Sequence, residues 1–438
     1  MSRGAAIKRR REGMATAVVE RRRRDPQLIG DLVARPAFLH AFQSAMKQLQ
    51  AVFPGRYTRS FAANALGAMR SRVSSEDRLL LVSAGRLCAM LARRLLCING
   101  ECAFRNPLRL GTSLLCRLRL VLPSSFCVAT LKGHGSHVTS VAFHPTAPLL
   151  ASGSHDNALR LWKLSSDNSS ATCVATLVFH SEAVLSVAFH LTVLLLATGS
   201  CDKTVRLWKL CSNNSSATCV ATLAGHTDIV TSVAFHPTAP LLASGSHDKT
   251  VKMWLLSSNN DSATCVATLK GQHICGIRCV AFHPTLQLMA TGSNDTTVKL
   301  WLLTPDNSSV SCVATLKGHS NWFTSVAFHP TAPLLATGSS DNTVRLWLLS
   351  CDNSSATCVA TLAGHRRCVF SVAFHPTAPL LATGSFDTTV RLWLLSCDNS
   401  SATCVAILKG HSVYSVAFHP TAPLLASGSC DRTVKLWR

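Results

Sequence analysis

The 438-residue chain is 47% hydrophobic and 15% charged, which excludes wholesale disorder and leaves ample material for a core; its length fits two or three domains, or one large repeat array with an appendage. The formal net charge of +22 is uneven: residues 1–126 hold 23 Lys and Arg against 7 Asp and Glu, which leaves 20 against 14 for the rest. No apolar run is long enough to span a bilayer and the extreme N-terminus has no apolar signal region, so the chain reads as intracellular, in nucleus or cytoplasm, without membrane contact.

Two basic runs come first, Lys8-Arg9-Arg10-Arg11 and Arg21-Arg22-Arg23-Arg24. Their spacing reads as a two-part nuclear localisation signal, and an RNA-binding arm gives the same pattern. A transit peptide does so too, although Glu12 and Glu20 argue against it. Residues 1–26 are expected to be a basic disordered segment and 27–126 a mainly helical extension. Asp25-Pro26 supplies a helix start, Pro36 a break, and Ser75 a cap before the Leu-rich pattern EDRLLLVSAGRLCAMLARRLL. Cys97 and Cys102 flank an Asn-Gly hairpin turn, where a redox-sensitive disulfide and two free thiols are both open readings.

From Cys127 onward the chain repeats itself. CVATL or a near copy returns at Cys173, Cys219, Cys265, Cys312, Cys358 and Cys404, at intervals of 46 residues with one of 47. Each copy reads as four short strands: SVAFH, then PLLASGS after the turn HPTAP, then TVRLW after an Asp turn, then CVATL after a polar loop. The polar loops hold N-x-S motifs such as Asn168-Ser169-Ser170 and Asn353-Ser354-Ser355, which outside the secretory pathway are loops and nothing more. A four-stranded sheet that is apolar on both faces must stack on its neighbours, and seven in series can close a ring. The cysteine total, 19, is odd, and one Cys per copy predicts small buried apolar residues in a reducing compartment.

The order Gly-His, Ser/Thr-Gly-Ser-x-Asp, x-x-Val-Arg/Lys-Leu-Trp resembles the WD40 (WD-repeat) family over residues 127–438. The resemblance implies an all-β fold, a seven-bladed β-propeller, carrying the basic, mainly helical N-terminal extension. It implies a hydrogen-bonded tetrad in each regular copy: His134, Ser152, Asp156 and Trp162; His226, Ser244, Asp248 and Trp254; His319, Thr337, Asp341 and Trp347; His365, Thr383, Asp387 and Trp393; His411, Ser427, Asp431 and Trp437. It also implies that Cys127 to Leu131 closes the ring as the missing fourth strand of the last blade, since the chain stops one residue after Trp437. The second copy has Phe179-His180 in place of Gly-His, the fourth inserts a residue in Gly271-Gln272-His273, and the last is two residues shorter after His411. Altered loop geometry is expected there, most of all in blades two and four.

Comparing the copies singles out the residue before the turn Asp and two positions leading into SVAF. The resemblance places these around the mouth of the central channel on the top face, where partners dock. Blades four to seven concentrate Arg278, Trp322, Arg366, Arg367, Phe370, Phe386 and Tyr414 there, residue types that dominate binding hot spots. The plain alternative is that such aromatics pack sideways on a neighbour.

No metal, cofactor or small-molecule substrate is expected. One His per blade in FHP cannot converge on an ion, and Cys275 and Cys279 are wrongly spaced for a metal pair. No phosphate loop, nucleophile elbow or carboxylate pair is present. The reading is a non-enzymatic scaffold or adaptor that docks protein or peptide partners on the top face, the propeller itself monomeric within a larger complex. A nuclear RNA-associated factor in ribonucleoprotein or ribosome assembly, using the basic N-terminus, is the alternative. A ubiquitin-ligase substrate receptor is another, weakened by the lack of an F-box.

Overall fold

The computed structural model describes residues 127–304 and 309–438, which hold strands running from Cys127–Leu131 to Val434–Trp437. The two basic runs, the helical patterns and the Cys97/Cys102 hairpin lie outside the described residues.

Seven antiparallel four-stranded sheets form the seven blades of a propeller. Blade 1 comprises an inner strand Val138–Phe143, two middle strands Leu149–Ser154 and Ala158–Leu164, and an outer strand Ala171–Val178. Each outer strand is therefore the opening segment of the next sequence copy. In blade 7 the outer strand is Cys127–Leu131, paired antiparallel to Val434–Trp437 with Leu131 opposite Val434. Inner strands of neighbouring blades touch one another around the whole ring, including Val138–Phe143 against Val413–Phe418, so they surround the axis. This pairing removes two sheet edges that would otherwise stand open.

The second strand of each blade, LLASGS in blade 1, is buried on both faces, which explains why it lacks polar alternation. Apolar residues collect in seven cores, one in each gap between blades, and each core holds the tetrad Trp of the later blade. Polar pins cross the same gaps. Ser140 Oγ accepts the amide of Val187 in blade 2, and Ser415 Oγ in blade 7 accepts that of Val141 in blade 1. Between blades 4 and 5 the corresponding residue is the buried Cys279, packed in one core with Phe323.

The inner strands carry a feature that alternation alone hides. In every blade the register slips by one residue, Val138 pairing with Ser154 but Ser140 with Gly153, so Thr139 is the extra residue of a β-bulge. Leu185, Thr231, Arg278, Thr324, Phe370 and Tyr414 hold the same place. A bulge leaves its extra residue outside the ladder and re-aims its side chain, which frees these positions to vary.

One expectation is overturned. The repeated cysteines are not buried: Cys127, Cys173, Cys265 and Cys358 are exposed, and Cys219, Cys312 and Cys404 are half-buried. They lie on the outer strands, which no further strand covers among the described residues. A second bulge places each thiol to donate to the carbonyl two residues on, as Cys173 does to Ala175 at 3.4 Å, and Arg160 Nη1 approaches the same sulfur at 3.7 Å.

Candidate functional site

Each tetrad is a chain of donors ending on a carboxylate. Trp162 Nε1 donates to Ser152 Oγ at 2.7 Å, and that hydroxyl lies 2.7 Å from His134 Nε2. His134 Nδ1 lies 2.9 Å from Asp156 Oδ2. Indole N–H can only donate and an ionised carboxylate can only accept, so a neutral imidazole carries its hydrogen on Nδ1, aimed at Asp156, and its Nε2 accepts the proton of the hydroxyl. Burial pulls the His134 pKa down more than Asp156 raises it. Burial works against ionisation of Asp387 too, yet Thr389, the Arg366 amide and His365 together hold that carboxyl at about 2. The same chain closes through Ser244 and Asp248, Thr337 and Asp341, Thr383 and Asp387, and Ser427 and Asp431. These groups consume one another's hydrogen bonds and fasten the top turn of each blade to its middle strands.

Blades 2 and 4 close as well despite their irregular text. His180 reaches Thr198 and Asp202 at 2.7 Å each, with Trp208 donating to Thr198. His273 reaches Thr291 and Asp295 at 2.9 and 2.8 Å, with Trp301 donating to Thr291. Phe179, standing where five of the copies have Gly, turns outward (57% exposed) and packs edge-on against Trp208. The extra residue of blade 4 is absorbed at Gly271, whose φ of 76° suits glycine. Blade 7 shows the clearest change: its shortened loop leaves His411 3.2 Å from Asp431, whose side chain is 39% exposed, and burial drives His411 to about 4.

The FHP histidines have a structural task. His144 Nδ1 accepts the amides of Thr146 and Ala147, and its ring stands edge-on to Phe189 of the next blade at 5.1 Å. The series runs round to His419, whose ring meets Phe143 of blade 1 at 5.0 Å. Among the described residues, no group of three His, Cys, Asp or Glu side chains is placed to hold a metal ion.

The variable positions come together at the end of the propeller where the Asp turns and the approaches to the inner strands emerge. Phe370, Phe386 and Tyr414 form one cluster with ring centroids 5.1–5.6 Å apart. It continues through the ring closure into blade 1, where His137 stands 6.0 Å from Tyr414 and 5.7 Å from His155. Those two histidines were missed by a reading confined to blades four to seven. The signal was present, for blade 1 has an imidazole at two of its three variable positions and closure makes it the neighbour of blade 7. Arg278 stands apart, half-buried, with Nη1 3.4 Å from His247 Nε2 of blade 3. Trp322 is 49% exposed, and Arg366 and Arg367 are exposed side by side on blade 6.

A run of hydrogen bonds fixes this rim. Ser340 N donates to Trp322 O, Cys368 Sγ to Ser340 O, Phe386 N to Cys368 O, Ser412 Oγ to Phe386 O and Cys430 N to Ser412 O. A backbone tied in this way has little freedom of its own left to lose.

Seven tetrad-fastened blades closed by a split last blade define a β-propeller built from repeats. The chain belongs to the WD40 family: the family model described as WD domain, G-beta repeat matches residues 125–163, 171–209, 217–254, 263–301, 310–347, 356–393 and 402–438. Propellers of this family are commonly protein-interaction scaffolds and typically non-enzymatic. Among the described residues no helix is long and apolar enough to cross a membrane.

Proposed function

We propose that the protein is a non-enzymatic scaffold that holds a protein or peptide partner on the rim over blades 4 to 7. Trp322 carries this reading. Seven of the eight tryptophans are buried in tetrads, whereas Trp322 offers half its surface to solvent on a hydrogen-bonded turn. A large aromatic held in the open on rigid backbone buries much area at small entropic cost. Phe370, Phe386 and Tyr414 are half-buried against one another and supply a firm apolar floor beside it.

Affinity purification of the wild-type chain and of the combined Trp322→Ala, Arg366→Ala, Phe370→Ala variant tests the reading. The wild type should retain a partner that the variant loses while both keep the same melting curve. A partner held equally by both places the site elsewhere.

A further inference from the structure

We infer that the rim takes an acidic segment of a protein partner, with paired carboxylates beside a large apolar side chain. The inference rests on the rim being the docking surface and adds the chemistry of what docks there. The ion pairs among the described residues are the seven tetrad His–Asp contacts, so neither guanidinium of Arg366 and Arg367 has a described carboxylate within 4.0 Å. Asp387, the tetrad acid of the same blade, is already engaged by His365, Thr389 and the Arg366 amide. Two exposed cations without a described carboxylate partner thus stand on one fixed turn, and the same hydrogen-bonded run ties that turn, through Ser340, to the backbone carbonyl of Trp322, whose indole is exposed. An arginine pair suits carboxylates, which it can grip bidentately, and the indole suits an apolar anchor.

The sign of the charge changes across the face. The position of Arg367 is held by Glu182 in blade 2 and Asp228 in blade 3, both exposed. A nucleic-acid strand laid over the channel would meet carboxylates on one side and arginines on the other. A short acidic segment over blades 5 and 6 meets the arginines beside the indole, and the carboxylates of blades 2 and 3 repel it, which fixes its position.

The test uses the full chain with fluorescein-labelled peptides of alternating Glu and Phe, their Gln-for-Glu and Lys-for-Glu counterparts, and an oligouridine strand, all read by anisotropy. The Glu/Phe peptide should bind most tightly. Arg366→Glu with Arg367→Glu should weaken it by about tenfold or more and transfer the preference to the Lys/Phe peptide, and Trp322→Ala should weaken both. The basic N-terminal residues are identical in every variant, so binding that survives the charge reversal overturns the inference. Equal binding of the Glu and Gln peptides, weakened by Trp322→Ala alone, keeps the rim reading and removes the acidic partner. Loss of oligouridine rather than peptide on charge reversal assigns the rim to nucleic acid. No effect of any substitution on any peptide removes the rim reading itself.

Discussion

Val138 of the first blade fills the space that Gly428 of the last blade leaves empty: a Cβ built on Gly428 would stand 2.8 Å from Val138 Cγ1. The contact repeats at every junction, as between Gly153 and Val184, so first and last blade meet as any two neighbours do. Gly428→Ala should therefore destabilise the propeller by about 1–3 kcal/mol through overpacking. Gly135→Ala, whose new Cβ would meet nothing closer than 3.7 Å, should leave the melting temperature nearly unchanged.

Acid should unfold the propeller early. Burial lowers the pKa of the tetrad histidines and of the FHP histidines in the folded state, and a protonated FHP imidazole would also face two backbone amides with no lone pair to accept them. A depressed histidine pKa means that the unfolded chain takes up protons the folded one refuses. The stability it provides is complete above the unfolded value of about 6.5 and lost as pH falls below it. The tetrad carboxyls, also lowered, extend the loss below the ordinary carboxylate range. Melting temperatures should be level above pH 7 and fall steadily from pH 6.5 to 4; a flat profile there contradicts the buried neutral assignment.

Thr388 holds a left-handed φ of 68°, where blades 1 and 5 place Asn157 and Asn342. A β-branched residue is strained there and asparagine is tolerated. Thr388→Asn should raise stability by about 1 kcal/mol, seen as a higher denaturation midpoint at unchanged m-value.

Thiol labelling should divide the cysteines by strand. Cys173 and Cys358 are exposed on outer strands and should be alkylated by iodoacetamide in the folded protein. Cys279 is buried, with its thiol pushed up to about 12, and should react only after unfolding. Mass spectrometry of labelled peptides reads both.

The repeat, its four strands and its tetrad residues could be read directly, because Gly-His, the Asp turn and the terminal Trp recur at nearly fixed spacing. Blades 2 and 4 looked doubtful because Phe179 and the extra residue before His273 break the text. Their loops tolerate both, since the tetrad is fixed by the imidazole, hydroxyl and carboxylate. The exposed cysteines were misread because CVATL is apolar at every position but its Thr, and composition cannot tell an outer strand from a middle one. The bulges were harder still. Val138 and Val141 are both buried though three residues apart, a spacing that would set them on opposite faces of a regular strand, and apolar alternation alone gives no place for the bulge at Thr139, Arg278, Phe370 and Tyr414.

Hydrogen exchange on the full chain lacking Cys127–Leu131 tests closure of the ring most directly. The account predicts that amides of Val434–Trp437 lose protection by about a hundredfold or more, with a lower melting temperature, because that strand becomes an open edge. Unchanged protection and an unchanged melting curve would contradict it.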